Sequence, residues 1–293
     1  MTISKELWGW LYGFLGVLIF SLTLPVTRIA VAELDPVFVG LGRAVIAGGL
    51  AIILLTLTRQ SIPPKRFWLR FVVVAVGVVV GFPLLTAIAM KNAPASYGAV
   101  ITGLMPLATA FYGVWRGKEQ VTKSFWLFAL MGSGLVIIFA MQSGTKSLSA
   151  TDLALFGAVV SAGVGYGEGA ILARTFGAWQ VICWSLVLSL PALLPIVFNA
   201  FPTSFNSIST NAWLGFFYVS VFSMFLGFFA WYQGLVWGGI ANVGQIQLLQ
   251  PFLTILASAI LLHEALTSRT LGFALGVIIC VAFSKRFGNY LNS

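Results

Sequence analysis

Residues 101–130, ITGLMPLATAFYGVWRGKEQVTKSFWLFAL, and residues 246–275, IQLLQPFLTILASAILLHEALTSRTLGFAL, decide the fold when they are laid over each other. Sliding the chain by 145 residues superposes Ile101, Pro106, Thr109, Glu119, Thr122, Phe128, Ala129 and Leu130 on Ile246, Pro251, Thr254, Glu264, Thr267, Phe273, Ala274 and Leu275. Identities among apolar residues arise easily by chance here. The weight falls on a proline and a glutamate that keep one separation in both copies. Each copy reads as an apolar helix with proline near its middle, a polar turn containing glutamate, and a further apolar helix opening with an aromatic residue, alanine and leucine. The chain is therefore expected to be two related halves, 1–145 and 146–293.

Working outward, the composition says what those helices are for. Of 293 residues, 59% are hydrophobic and 8% charged, whereas soluble chains carry about 25% charged residues. That excludes a water-soluble globular domain. A helix crosses a bilayer in about 20 apolar residues, and apolar windows fall near 7–32, 37–57, 68–90, 95–115, 124–142, 151–173, 178–199, 212–235, 241–262 and 269–285. The expected fold is all-α and integral to the membrane, with ten spans. Five spans per half is an odd number, so the second copy enters the membrane in the opposite direction. Inverted repeats of this kind are a recurrent construction of transporters, with the substrate site between the halves near midplane.

A net charge of +9 would suggest nucleic acid in a soluble protein, but the basic residues sit in short segments between apolar runs and report orientation instead. With the N-terminus inside, eleven Lys and Arg fall on the cytoplasmic side, Arg59, Lys65, Arg66 and Arg70 among them, against at most five outside. Both termini are expected in the cytoplasm of a bacterial inner membrane. The charges of the repeated turn agree with inversion: Arg116, Lys118 and Lys123 in one copy, His263, Glu264 and Arg269 in the other. The first apolar run is too long for a secretory signal and contains Arg28, so it is read as a span. Cys183 and Cys280 lie in apolar stretches as small hydrophobes, so no disulfide framework, metal site or cofactor is expected.

Pro106 and Pro251 each remove a backbone donor and leave the carbonyls of Thr102 and Gln247 without their helical partners. Those carbonyls either face substrate or are re-satisfied by neighbouring side chains. The ninth span carries Asn242, Gln245, Gln247 and Gln250 over roughly half its circumference, a face suited to a zwitterion or to interhelical bonding and unsuited to lipid. Ionisable residues inside spans are functional candidates by default, and here they are Arg43, Lys91 and Glu168. Lys91 either snorkels or binds substrate. Arg43 is expected to snorkel or to pair with Glu33 or Asp35. Glu168 is expected to meet a partner on another span or a wet cavity, as a substrate or proton site. Its glycine run, Gly163 to Gly169, reads as close helix packing and a hinge. Tyr97, Tyr166 and Trp231 are the candidate rings, and Pro25, Pro83, Pro106 and Pro251 the candidate hinges. An intramembrane enzyme would need a catalytic constellation, and the single histidine, His263, lies at a turn.

The turns Gly117-Lys118-Glu119 and Leu262-His263-Glu264, each following a proline-bearing span, and the Ala89-Met90-Lys91-Asn92-Ala93-Pro94-Ala95 junction carry a resemblance. The chain resembles the EamA-type drug/metabolite transporter superfamily, and within it is similar to the YddG-type exporters of aromatic amino acids. The resemblance implies ten helices as two inverted five-helix repeats. It also implies a monomeric exporter that moves a small-molecule substrate, an aromatic or otherwise bulky amino acid, by alternating access through membrane lipid, with protons as a further partner. A multidrug or nucleotide-sugar carrier of the same fold, or a non-transporting scaffold subunit, stays open as the alternative.

Overall fold

The computed structural model describes residues 5–117, 122–143, 149–205, 207–238 and 244–288, and among them every regular element is helical. Seven helices are long and apolar enough to cross a membrane: Leu7–Glu33, Pro36–Leu57, Lys65–Asn92, Ala95–Arg116, Ala150–Phe176, Ala178–Asn199 and Thr210–Trp237. Three shorter apolar helices, Trp126–Gln142, Ile246–Leu262 and Ser268–Phe283, fall where the fifth, ninth and tenth spans are expected. The third span starts at Lys65, three residues before the apolar window at 68, and carries Arg70 near its beginning. Large apolar side chains such as Leu69, Trp115, Leu130 and Phe198 remain exposed, as lipid contact requires.

The helix ends are closed by short side chains. Asp35 accepts from the amides of Val37 (2.7 Å) and Phe38 (3.1 Å), and Pro36 opens the second span. Ser149 and Asp152 form a reciprocal capping box ahead of the sixth span. Such caps satisfy donors that a helix leaves free in its first turn. Gly177, at φ 95°, is the single residue between the sixth and seventh spans, a conformation that L side chains resist.

Packing follows the repeat. The first span packs on the eighth and the third on the sixth, while the second meets the seventh, the fourth the ninth and the fifth the tenth. Shifting every span by five exchanges the first two pairs and returns the other three to themselves. Glycine allows the closest of these approaches: a methyl on Gly77 would stand 2.6 Å from the Ser161 carbonyl oxygen and 2.7 Å from Gly165 Cα. Gly169 gives way to the Tyr232 hydroxyl, which in turn donates to the Gly165 carbonyl at 3.3 Å. The glycine run thus seats the third, fourth and eighth spans against the sixth.

At the end of the bundle opposite the termini, carboxylates of one half cap helices of the other. Glu33 accepts from the amide and hydroxyl of Ser209, both at 2.6 Å, just ahead of the eighth span. Glu264 accepts from the amides of Ala95 (2.8 Å) and Ser96 (2.9 Å) and from the Ser96 hydroxyl (2.5 Å), at the start of the fourth span. Arg28 Nε stands 3.6 Å from the same carboxylate. The Tyr97 hydroxyl donates to Asp152, joining the fourth span to the sixth. The repeated glutamate is therefore, in the second copy, a helix cap; Glu119 lies outside the described residues.

Two stability predictions follow from these contacts. Gly77→Ala is expected to lower stability by about 1–3 kcal/mol, because backbone on both sides must shift, while Gly49→Ala, with open space around it, is expected to be neutral or slightly stabilising. Glu264→Ala frees two helix-start amides and is expected to lose roughly 2 kcal/mol. Thermal unfolding of the purified protein in detergent reads all three.

Candidate functional site

Five spans depart from α-helical geometry, and four of the departures come in pairs. The third span contains a π-helix at Ala75–Gly81 and the eighth another at Val219–Leu226. Residues 75–81 advanced by 145 are 220–226, so the two occupy the same place in the repeat. The fourth span stops at Thr102 and resumes at Met105, and the ninth runs as a 3-10 helix over Gly244–Leu249 before the α-helix Gln250–Leu262. Pro106 and Pro251 sit just beyond these breaks. The prolines therefore accompany interruptions of the helix, where the sequence alone suggests a bend. Local bonds tidy the first break: Leu104 N donates to Ile101 O (3.1 Å), Leu107 N to Leu104 O (3.0 Å), and the Thr102 hydroxyl back to Gly98 O (2.9 Å). Pro25 follows a one-residue break at Leu22 in the first span, and Pro83 lies in the first turn after the π-helix of the third.

The four paired segments meet at one internal cavity of about 20 Å³, room for about one water. Val78 and Ser223 come from the π-helices, Thr102 and Gln250 from the two breaks. Irregular backbone survives at membrane depth only where protein or a cavity takes up its polar groups, and π-helices gather at functional sites. Phe20, Phe82, Phe228 and Tyr166 add rings to the wall. Phe20 stacks on Tyr166 with centroids 6.5 Å apart, Phe228 lies 6.0 Å from Tyr166, and Trp231 lies 6.1 Å from it. The Thr23 and Ser223 hydroxyls, 2.8 Å apart, join the first span to the eighth on the same wall.

Arg43 is the charged residue of the lining, and its placement corrects the expectation that it snorkels or pairs with a neighbouring acid. It is 1% exposed, and its Nε and one terminal nitrogen have no hydrogen-bond partner. Glu33 is taken by Ser209 and Asp35 by the amides that open its own helix. The signal in the sequence was a cation inside a span; its facing was not legible there.

Of the other candidates, Thr102, Tyr166 and Gln250 are brought together on the wall. The Gln250 amide oxygen, the Gln247 amide nitrogen and the Trp231 indole nitrogen are buried without partners. Lys91 is elsewhere: its ammonium donates to the Val31 carbonyl at 2.8 Å and caps the first span. Tyr97 is occupied by Asp152. Glu168, 1% exposed, accepts from Arg70 on the third span and from the Tyr112 hydroxyl (2.6 Å) on the fourth, away from the cavity wall. Arg70 is a partner the sequence reading missed, because it counted that residue only among the cytoplasmic charges. Asn242 and the side chain of Gln245 lie outside the described residues.

This architecture has known counterparts. The sequence profile of the EamA-like transporter family matches residues 7–141 and again 149–285. The protein named Uncharacterized transporter YdeK, from Bacillus subtilis (strain 168), is 48% identical over 285 residues, spanning 97% of this chain and 99% of the relative. Uncharacterized transporter YvbV of the same organism is 25% identical over 92% of this chain and 89% of its own length. A solved structure described as "Crystal structure of protein" superposes with a TM-score of 0.66 over 97% of this chain and 99% of that one, at 17% identity, which shows a shared fold. A family match in both halves, over ten apolar helices, identifies a multi-pass membrane protein: the chain belongs to the EamA-like transporter family and takes a small molecule as its substrate.

Proposed function

We propose that the protein exports small metabolites, aromatic and other bulky amino acids foremost, across a bacterial inner membrane by alternating access between its halves. The observation that carries this reading is the convergence of four paired helix breaks on a ring-lined cavity holding Arg43, Thr102 and Gln250. A cavity sized for one water excludes an amino acid, so cargo enters only when the halves part. The contacts that would release stand at the two ends. Near the termini they are Arg70 and Tyr112 on Glu168; at the far end they are Glu33 on Ser209, Glu264 on Ala95 and Ser96, and Tyr97 on Asp152. Each end joins first-half residues to second-half residues, and opening one end while the other holds is the alternating-access cycle. Basic residues gathered at the terminal end support a cytoplasmic position for that end, on the positive-inside rule. The π-helices and prolines supply the points at which half-helices tilt. A buried guanidinium at the cavity repels a cationic cargo, which argues against a carrier of cationic drugs.

Reconstitution in liposomes tests the reading: labelled phenylalanine and leucine are expected to show saturable flux, and no flux of any amino acid by the folded protein rejects it. A pH gradient imposed on the same vesicles decides the role of Glu168. Flux that follows the gradient in the wild type and ignores it in Glu168→Gln assigns a coupling proton there; wild-type flux blind to the gradient makes transport facilitative. Independently of coupling, Glu168→Ala leaves Arg70 without its acid and is expected to lose roughly 3 kcal/mol, tempered because the Arg70 side chain is 28% exposed. Thermal unfolding measures that loss.

A further inference from the structure

We infer that Arg43 is the residue that holds the cargo, and that the cargo carries a single carboxylate on a body with a bulky apolar side. The inference rests on reading the central cavity as the transport site. A guanidinium 1% exposed, in a helix that crosses the membrane, is stable only when an anion or strong acceptors meet it. The described residues supply none: two of its nitrogens have no partner, and the ion pairs formed are Arg28 with Glu264 and Arg70 with Glu168. Glu33 is committed to Ser209, Asp35 to its own helix start and Asp152 to Tyr97 and Ser149. The counter-charge is therefore left to the molecule that enters the cavity.

The donor geometry selects its chemistry. A guanidinium presents parallel N–H groups that fit the two oxygens of a carboxylate. One cation and no second Lys or Arg on the wall suits a single negative charge, and Phe20, Tyr166 and Phe228 around it suit an apolar body. The buried, unpartnered amide oxygen of Gln250 on the same wall accepts from a donor on the cargo, such as an ammonium. The position equivalent to Arg43 in the other half, 145 residues on, is Leu188. The carboxylate is thus held by one half alone and travels with it.

The test is equilibrium binding to the purified full-length chain in detergent, by titration calorimetry, of three acids and the amides that replace their carboxylates: phenylalanine and phenylalaninamide, leucine and leucinamide, 3-phenylpropionate and 3-phenylpropionamide, the last pair free of the ammonium that makes the two amino-acid amides cationic. Wild-type protein is expected to bind the acids on the order of tenfold or more tightly than the amides. Arg43→Gln is expected to erase that preference, and Arg43→Lys to restore part of it. Amides bound as tightly as acids, an acid preference that survives Arg43→Gln, or no binding of any acid overturns the inference. The wild-type comparison of acid with amide needs no variant, so the test stands even where Arg43→Gln does not fold. Acids that bind through Arg43 but do not cross the liposome membrane uphold this inference while rejecting the transport reading; amino-acid flux without acid preference does the reverse.

Discussion

In hydrocarbon no water is available to a backbone N–H or C=O that its own helix leaves free, and each such group costs several kcal/mol unless protein or a cavity takes it up. That constraint organises this molecule. A ten-span bundle of unbroken helices would meet it without any cavity. Here two π-helices and two interrupted spans violate α-geometry at matched places in the repeat, and all four border one internal space. The cavity is where the irregular backbone can be tolerated, and its position between the halves follows from their inverted pairing. Regular spans such as Pro36–Leu57 keep to the ladder and deliver side chains instead, Arg43 among them.

How much of this was legible in the sequence depends on what each residue has to reach. Span number and approximate bounds could be read because hydropathy over about 20 residues is a local property. Pro106 and Pro251 could be read because proline acts on its own helix. The π-helices could not: AVGVVVG and VSVFSMFL contain no proline, and the two serines of the second are equally at home in an α-helix. The repeated glutamate was visible as a motif, yet its task was hidden, since the amides that Glu264 caps lie 168 and 169 residues away in sequence. Arg43 shows the same limit in rotation. Sequence gives its depth along the span, while only the packed bundle shows that it faces inward.

Symmetry governs the frame and not the chemistry. Advancing by 145 residues carries the π-helix of the third span onto that of the eighth and the break at Thr102 onto the turn at Gln247. It also carries Arg43 onto Leu188, and Thr23 onto Glu168. One repeat position is thus Thr23 in the first half, paired with Ser223 on the cavity wall, and Glu168 in the second, paired with Arg70 near the terminal end; the partners themselves are not equivalent, Ser223 answering to Val78 and Arg70 to Gly215. Duplication accounts for a scaffold in which both ends tie the first half to the second. Divergence of the side chains then gives the two ends different partners: at the far end helix-start amides donate to Glu33 and Glu264, with Arg28 beside Glu264 and Tyr97 on Asp152, whereas at the other Arg70 and Tyr112 meet on Glu168.

That asymmetry bears on how an empty carrier differs from a loaded one. A ligand shifts a conformational equilibrium only through its different affinity for the two states. With the cavity closed to the size of one water, Arg43 is buried and forms no ion pair with the described carboxylates, so on the inference above closing the site without an anion is opposed by the cost of a buried charge, several kcal/mol by analogy with other buried ions. An open state lets water reach the guanidinium and removes that penalty. If the cargo brings a carboxylate, as inferred, it stabilises the closed state more than the open one, because the interaction strengthens as water leaves. Closure around cargo is then favoured and closure around nothing is opposed. A single buried arginine on one half would in this way link passage through the occluded state to the presence of substrate, without any second site or moving part.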